Sequence, residues 1–383
     1  KAGLNFPADE ATRAINNSGK RLPLSPAMLA YYQAAANVVV NEALSNNRAR
    51  LFKKEVPIGL AERRTYAREI LAEFMLRACG RPAEAGMIEQ AVAQAAGADQ
   101  QPGKSFEDAV GAAMATVLAS PQFIFLSFAG DMTKPAVGHT LVDEFTLASR
   151  MIHFLCSSIP DAVLLGLAGK GVLRRQLRAQ LKRMLADPRA DALASGFTRQ
   201  WLNFAELDKP YFPRAADPAL RTAMMREPEL VFSTIMHEDR SVKEFIESDY
   251  TFLNQSLAQF YDLGNLGVTG PEMRRVTLPP ESSRGGVLTE GIFLLITSHA
   301  HQTSPTKRGS FVLTSILGAT LPSHLEANSN DQEVGAFLAH GPSVRDALKD
   351  HVTRPTCNAC HVRMDPAGLA LENFDLAGRW RDQ

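Results

Sequence analysis

The stretch SFEDAVGAAMATVLASP (residues 105–121) carries the local pattern that determines the fold class of this chain. Its apolar residues recur at a spacing near 3.6, which is the period of a helix with one buried face. Ser105 stands where an N-cap hydroxyl accepts a backbone N–H. Pro121 closes the segment, because proline cannot continue a helix. The stretch therefore predicts one helix between a cap and a stop.

The same pattern recurs along most of the 383 residues, whereas alternation of period two with hairpin turns is nearly absent. It predicts an all-α protein, with a multi-helix body and a C-terminal helical module. Asp365-Pro366 resembles a helix start and is expected to cap the last helix. The predicted helices cover residues 26–44, 61–80, 106–120, 143–155, 174–185, 187–204, 218–237, 249–264, 288–297, 307–317, 343–351 and 366–374.

The composition argues against nucleic-acid binding and against a membrane span. Lys plus Arg equals Asp plus Glu at 41 each, so the formal net charge is zero and no positive field exists to hold nucleic acid. The longest apolar runs fall far short of the roughly 20 residues that a membrane-spanning helix needs. Hydrophobic residues make up 45% of the chain, which is ample for a buried core. We expect a globular protein with no nucleic-acid partner and no direct membrane span in this chain.

The segment Cys-Asn-Ala-Cys-His at residues 357–361 indicates the chemistry of the C-terminal module. A C-x-x-C-H string is typical of c-type haem attachment. Residues three apart share one face of a helical turn, so Cys357 and Cys360 can bond the two vinyl groups of one porphyrin edge. His361 is then directed at the iron as the proximal ligand. The string predicts one covalent haem c.

Two other interpretations of this string stay open. It is a chance match, or it is part of a zinc site in which the two thiols and His361 hold three of four tetrahedral positions. No second Cys pair and no H-x₃₋₅-H cluster lies nearby in the sequence to complete a zinc set, which favours haem.

The composition also indicates where one domain ends and the next begins. The Gly- and Pro-rich residues 264–283 have the composition of a linker and mark the clearest boundary. We predict an N-terminal helical domain at residues 1–130, a central helical domain at 139–264 and a haem c-binding domain at 282–383.

Four long blocks of sequence resemble one family. They are NNSGKRLPLSPAMLAYYQAA, FMLRACGRPAEAGMIEQ with FEDAVGAAMATVLASPQFIF, ASRMIHFLCSSIPD through DRSVKEFIESDYTFLNQSLAQFY, and RGGVLTEGIFLLITSHAHQTSPTKRGSFVLTSILG with HVTRPTCNACHVRMDPAGLALENFDLAGRWR. Together they are similar to the planctomycete-type multidomain cytochrome-like proteins that carry domains of unknown function 1595, 1592 and 1588. The resemblance implies a cytochrome-like protein and brings no assigned activity.

The chain departs from that family at two positions. Cys79 and Cys156 stand where family members usually carry aromatic residues, which favours a disulfide between them in an oxidising compartment. The alternative is that both are buried and act as small apolar side chains.

The second axial ligand of the iron decides between carrying electrons and activating a small molecule. Met364 follows His361 by less than one helical turn. It therefore lies on the same side of the porphyrin ring as His361 and can scarcely reach the opposite axial position. The pair His299 and His301, placed where a helix ends, supplies the favoured candidates. Three further histidines of the same module stay open as candidates: His324, His340 and His351.

The two haem propionates need cationic or amide donors where water does not solvate them. Lys307, Arg308 and Arg379 flank the haem blocks in sequence and are the predicted cofactor-binding cations, with Arg381 and the ring of Trp380 beside them. The alternative is that they are solvated charges at helix ends.

The sequence therefore predicts a periplasmic or otherwise extracytoplasmic mono-haem c-type cytochrome. It would transfer electrons within a larger redox assembly, to a redox partner protein or to other subunits. A haem enzyme with an open iron site, a peroxidase or an oxygenase, is the alternative, and a structural subunit in which haem supports folding is a third. Whether the chain is an enzyme is left open.

Overall fold

The computed structural model describes residues 26–125, 141–204, 207, 217–299, 302–320, 348 and 355–382. Helices dominate these residues, and the one sheet among them has two strands, which confirms the all-α prediction. The chain divides into two compact units, Lys1–Leu193 and Ala194–Gln383.

The first unit contains two groups of helices. In the first group α4 packs against α1 and α3, with Leu71, Val92 and Val110 fully buried. In the second, α6 packs against α7 and α8 around Ile152 and Leu164. The helices are α1 (Pro26–Leu51), α2 (Leu60–Cys79), α3 (Ala85–Asp99), α4 (Phe106–Leu118), α5 (Pro121–Ile124), α6 (Glu144–Cys156), α7 (Ala162–Gly169) and α8 (Leu177–Leu185).

The helix that begins after Ser105 forms as predicted. The Ser105 hydroxyl accepts the N–H of Asp108 at 3.0 Å, and the Asp108 carboxylate accepts the N–H of Ser105 at 3.1 Å. Two backbone donors that the helix leaves unpaired are thereby satisfied. Pro121 does more than stop the helix, because it also occupies the first position of α5.

The second unit contains helices and a short antiparallel sheet of two strands. Its elements are α9 (Asp191–Trp201, which begins in the first unit), α10 (Pro218–His237), β1 (Tyr250–Leu253), α11 (Gln255–Phe260), β2 (Arg274–Thr277), α12 (Gly291–Ile296), α13 (Pro305–Phe311) and α14 (Pro355–Leu369). A π-helical turn, Val312–Ile316, continues α13.

The sheet corrects two predictions. The helix predicted over residues 249–264 is a strand followed by the short α11, and the predicted linker 264–283 contains the partner strand. Tyr250 pairs with Thr277, and the guanidinium of Arg275 lies 4.1 Å from the centre of the Tyr250 ring. Cross-strand pairs of this kind stabilise a strand whose aromatic and β-branched residues favour it. The predicted domain boundaries stay a prediction.

The last helix also differs from the prediction. It is one helix from Pro355 to Leu369 that includes Pro366, rather than a new helix capped at Asp365. No helix among the described residues is both long enough and apolar enough to cross a bilayer.

Helices α13 and α14 cross at very short range. A Cβ atom built on Gly368 would lie 1.8 Å from the carbonyl oxygen of Pro305, and one on Gly309 would lie 1.9 Å from that of Met364. Real Cβ atoms do not approach backbone this closely, so glycine is required at both positions. The crossing fixes α14 against α13.

This crossing gives a first testable prediction. Gly368→Ala is expected to destabilise the second unit by about 1–3 kcal/mol, because two backbones must move apart. Both tryptophans, Trp201 and Trp380, lie in this unit, so their fluorescence during denaturant unfolding measures its stability.

The matched control is Gly196→Ala in α9, where the added Cβ meets nothing within 4 Å. That change is expected to stabilise the protein slightly, because Gly costs roughly 0.5–1 kcal/mol relative to Ala inside a helix. Equal effects of the two substitutions would contradict the tight crossing.

Candidate haem c site

The C-x-x-C-H string lies in the first half of α14. Cys357 and Cys360 belong to its helical backbone, one turn apart, and their side chains lie outside the described residues. His361 follows on the same helix and is buried, with 8% of the residue exposed. The helical spacing that the sequence argument used is therefore present in the backbone.

The imidazole of His361 is held by a carboxylate. Its Nδ1 atom lies 3.1 Å and 3.2 Å from the two carboxylate oxygens of Asp365, one turn further along α14. Asp365 is also buried, and the hydroxyl of Thr306 on α13 donates to its Oδ1 atom at 3.2 Å. Because a carboxylate accepts hydrogen bonds, this contact favours the proton on Nδ1, so Nε2 is the nitrogen through which the ring would bind a metal.

This arrangement fits a haem iron. A metal-ligating histidine usually donates its other ring N–H to a carboxylate or carbonyl, which fixes the tautomer and raises the basicity of the ligand. His361 would hold the iron through Nε2, and Asp365 and Thr306 would keep the ring in orientation.

Asp365 and Thr306 were missed as site residues in the sequence. The sequence predicts a helix cap at Asp365, because this residue precedes proline. The signal that could have found it is its spacing of four residues from His361, since residues at i and i+4 are neighbours on a helix. Thr306 comes from another helix, and no local pattern connects it to the motif.

Met364 is almost fully buried, and it packs against Leu313 and Ala319. Its position on the helix that carries His361 agrees with the argument that it is not the opposite axial ligand.

Of the histidines predicted for the distal position, the structure describes His299. Its backbone N–H donates to the carbonyl of Gln302 at 2.8 Å, and its Nδ1 lies 3.1 Å from the Nζ atom of Lys307. A charged lysine only donates, so His299 accepts at Nδ1. Coordination of iron through Nε2 would require this hydrogen bond to break. His301, His324, His340 and His351 lie outside the described residues.

Arg308 has a different environment from the other predicted propionate cations. It is 0% exposed, and burial lowers the pKa of its guanidinium to about 10. It donates to the backbone carbonyls of Leu371, Phe374 and Asp375 at 2.7, 3.1 and 2.9 Å and to the Glu372 carboxylate at 3.0 Å. A contact with a propionate would require the side chain to leave these acceptors.

The remaining predicted cations lie nearer the surface. Arg379 is exposed, and its guanidinium lies 4.5 Å from the centre of the Phe260 ring. Lys307 is half-buried beside His299. A propionate contact stays a prediction for both residues.

Cys79 and Cys156 are free thiols, so the predicted disulfide is absent. Cys156 is buried and Cys79 partly so, and burial raises the pKa of both thiols. The alternative, that both residues act as small apolar side chains, describes them better.

Comparison with known proteins supports the sequence argument at the level of families. Three family models match the chain in order: PSD5, a protein of unknown function (DUF1595), at residues 66–127; PSD4, a protein of unknown function (DUF1592), at 142–263; and PSCyt3, a protein of unknown function (DUF1588), at 284–383. Neither a curated protein nor a solved structure matches the chain. The chain therefore carries a PSD5, a PSD4 and a PSCyt3 domain in that order, which confirms the family resemblance predicted from its sequence.

Proposed function

We propose that this protein is an extracytoplasmic mono-haem c-type cytochrome that passes electrons within a larger redox assembly. The observation that carries the proposal is the fixed orientation of His361, whose Nδ1–H is directed at the buried carboxylate of Asp365 on the helix that contains both cysteines. The name of the PSCyt3 family suggests a cytochrome and so supports the proposal.

When bound, the haem would supply reversible one-electron chemistry at its iron. The chain's own part would be to hold it. Cys357 and Cys360 would form thioether bonds, and His361 would present Nε2 to the iron. Asp365 would keep the proton on Nδ1, and Thr306 would keep Asp365 in place. Attachment of haem c takes place on the oxidising side of the membrane, which gives the proposed location.

The test of this proposal is the mass of the denatured protein. We expect one haem to remain bound after denaturation, and we expect it to be lost in the double variant Cys357→Ser/Cys360→Ser. The control variant Cys79→Ser/Cys156→Ser keeps all of the haem, because those thiols lie outside the motif. Protein that contains zinc and no iron would contradict the proposal.

A haem enzyme with an open iron site is the second candidate. The contact between Lys307 and His299 Nδ1 favours it, because coordination of iron through Nε2 of this predicted distal ligand would require the contact to break. The electronic spectrum distinguishes the two candidates. Low-spin six-coordinate haem supports the electron carrier, and high-spin haem that reacts with peroxide or oxygen supports the enzyme.

A further inference from the structure

A buried acidic network joins the PSD4 and PSCyt3 domains within the second unit. Glu227 in α10 is 1% exposed. Its two carboxylate oxygens accept hydrogen bonds from the hydroxyls of Thr251 at 2.6 Å and Tyr261 at 2.7 Å. The Tyr261 oxygen in turn accepts the N–H of Gly291 at 2.6 Å, which connects the network to α12.

A second carboxyl group lies at this junction. Glu290, the residue before Gly291, is 4% exposed, and its Oε2 atom is buried without a hydrogen-bond partner. An ionised carboxylate with an unpaired buried oxygen is strongly unfavourable, whereas a protonated one is tolerated. Burial raises the pKa of Glu290 well above its usual range, and the charge of Glu227 raises it further.

One cation offsets one of the two carboxylates. The guanidinium of Arg284 lies 3.5 Å from the centre of the Tyr261 ring, and it donates to the carbonyls of Thr289 at 2.7 Å and of Gly378. The other charged groups that act on Arg284 are Asp262 and Asp375. Among the residues that the structure describes, Arg284 is the one cation whose charge acts on both carboxyl groups, so the network is expected to hold a proton at neutral pH. Burial raises the pKa of Glu227 to about 7, so this carboxyl group is poised to titrate.

Packed side chains connect this network to the helix that carries His361. Phe293, one turn after Glu290, lies with its ring centre 5.1 Å from that of Phe311 at the end of α13, and Gly309 of α13 touches the backbone of Met364. Phe293 and Leu294 are almost fully buried. Charges separated by such an interior are screened by salt much less than exposed charges.

We propose that the Glu227–Glu290 pair is a proton-binding site coupled to the redox state of the haem module, so that the protein takes up a proton when it takes up an electron. This inference rests on the proposed function. When bound, the haem would supply a one-electron couple, with the electron coming from a one-electron donor protein and leaving to an acceptor protein. Solvent would supply the proton, which would bond to a carboxylate oxygen of the pair on reduction and return to solvent on reoxidation.

The test is the reduction potential as a function of pH. A one-electron couple linked to one proton falls by at most 59 mV per pH unit, because 59 mV corresponds to a tenfold change in an equilibrium constant. We expect the potential to fall as pH rises between about 6 and 8, and we expect this slope to be lost in Glu227→Gln and Glu290→Gln. The control Glu281→Gln removes an exposed carboxylate of the same unit and should keep the slope.

A slope that is the same in all three variants would overturn the proposal, because it would come from another group such as a propionate. A potential independent of pH in the unmodified protein would overturn it as well, while leaving the electron-carrier function intact.

A second measurement does not need haem. The folded-state pKa of Glu227 lies above the usual value for glutamate, so the folded protein binds a proton that the unfolded chain releases. Below about pH 4.5 this bound proton makes its whole contribution to the free energy of unfolding. The contribution is lost as pH rises to about 7. The midpoint of thermal unfolding, followed by tryptophan fluorescence, should therefore fall over this range in the unmodified protein and fall less in Glu227→Gln.

If the protein carries no haem, the proposed function fails, and this stability measurement still decides whether the pair binds a proton. Unchanged pH dependence of the unfolding midpoint in Glu227→Gln would overturn the proton-binding site itself.

Discussion

Substituting Arg308 by Met is expected to lower the unfolding free energy of the second unit by about 3–5 kcal/mol, the usual cost of removing one partner from a buried charged network. Arg308 donates to three backbone carbonyls and to one carboxylate. Met fills much of the same volume and donates to none of them. The carbonyls of Leu371 and Asp375, which are half-buried, would lose these donors, and the buried carbonyl of Phe374 would keep only the longer contact from Arg381 at 3.3 Å. A carbonyl left without a donor away from water is costly.

Arg308→Lys is expected to recover little of this loss. A lysine has one nitrogen, and it cannot span acceptors that the planar guanidinium reaches from two nitrogen atoms. Denaturant unfolding followed by tryptophan fluorescence measures both variants.

A matched control is Arg199→Met, which removes an exposed arginine of the same unit from its ion pair with Glu229. Because Arg199 itself is exposed, and because the buried Glu229 keeps a second partner in Arg226, the loss should be smaller than in Arg308→Met. Equal losses in Arg199→Met and Arg308→Met would show that Arg308 does not organise the segment after α14.

The sequence predicted those parts of the fold that depend on neighbours in the chain. The cap at Ser105 and the end of the helix predicted over residues 61–80 are local, and both are present: α2 ends at Cys79, and Gly80 follows it in a left-handed conformation. Strand β1 was missed because its partner lies more than twenty residues further on, and a pattern of short range contains no information about that pairing. The two glycines of the α13–α14 crossing were not identified either, because the backbones that require them come together only in the folded chain.

The candidate site also contains residues that local sequence predicts and residues that depend on the folded chain. Cys357, Cys360 and His361 are consecutive members of one motif, so their spacing alone suggested their chemistry. The role of Arg308 depends on its burial against residues 371–375. The sequence shows only that Arg308 is a cation near a haem motif. Glu227 precedes proline in a helix and resembles a solvated charge. Its hydroxyl partners Thr251 and Tyr261 come from elements that the sequence could not place beside it.

Asp365→Asn is expected to raise the reduction potential of the haem-bound protein by an amount on the order of tens of millivolts. The anionic acceptor on Nδ1 increases the basicity of His361, and a more basic ligand favours the oxidised, more positive iron. Asparagine keeps the shape and accepts a weaker hydrogen bond without the charge. A redox titration monitored by the haem absorption bands measures the shift.

Thr306→Val provides a control whose expected sign is opposite. The hydroxyl of Thr306 donates to Asp365 Oδ1 at 3.2 Å, and its removal leaves the carboxylate a stronger acceptor for His361. The potential should therefore fall in Thr306→Val while it rises in Asp365→Asn. Because each change also removes a partner from the buried Asp365 site, a merely structural role would lower the stability of both variants and would not give shifts of opposite sign. Shifts of the same sign, or none, would exclude the carboxylate as the group that tunes His361.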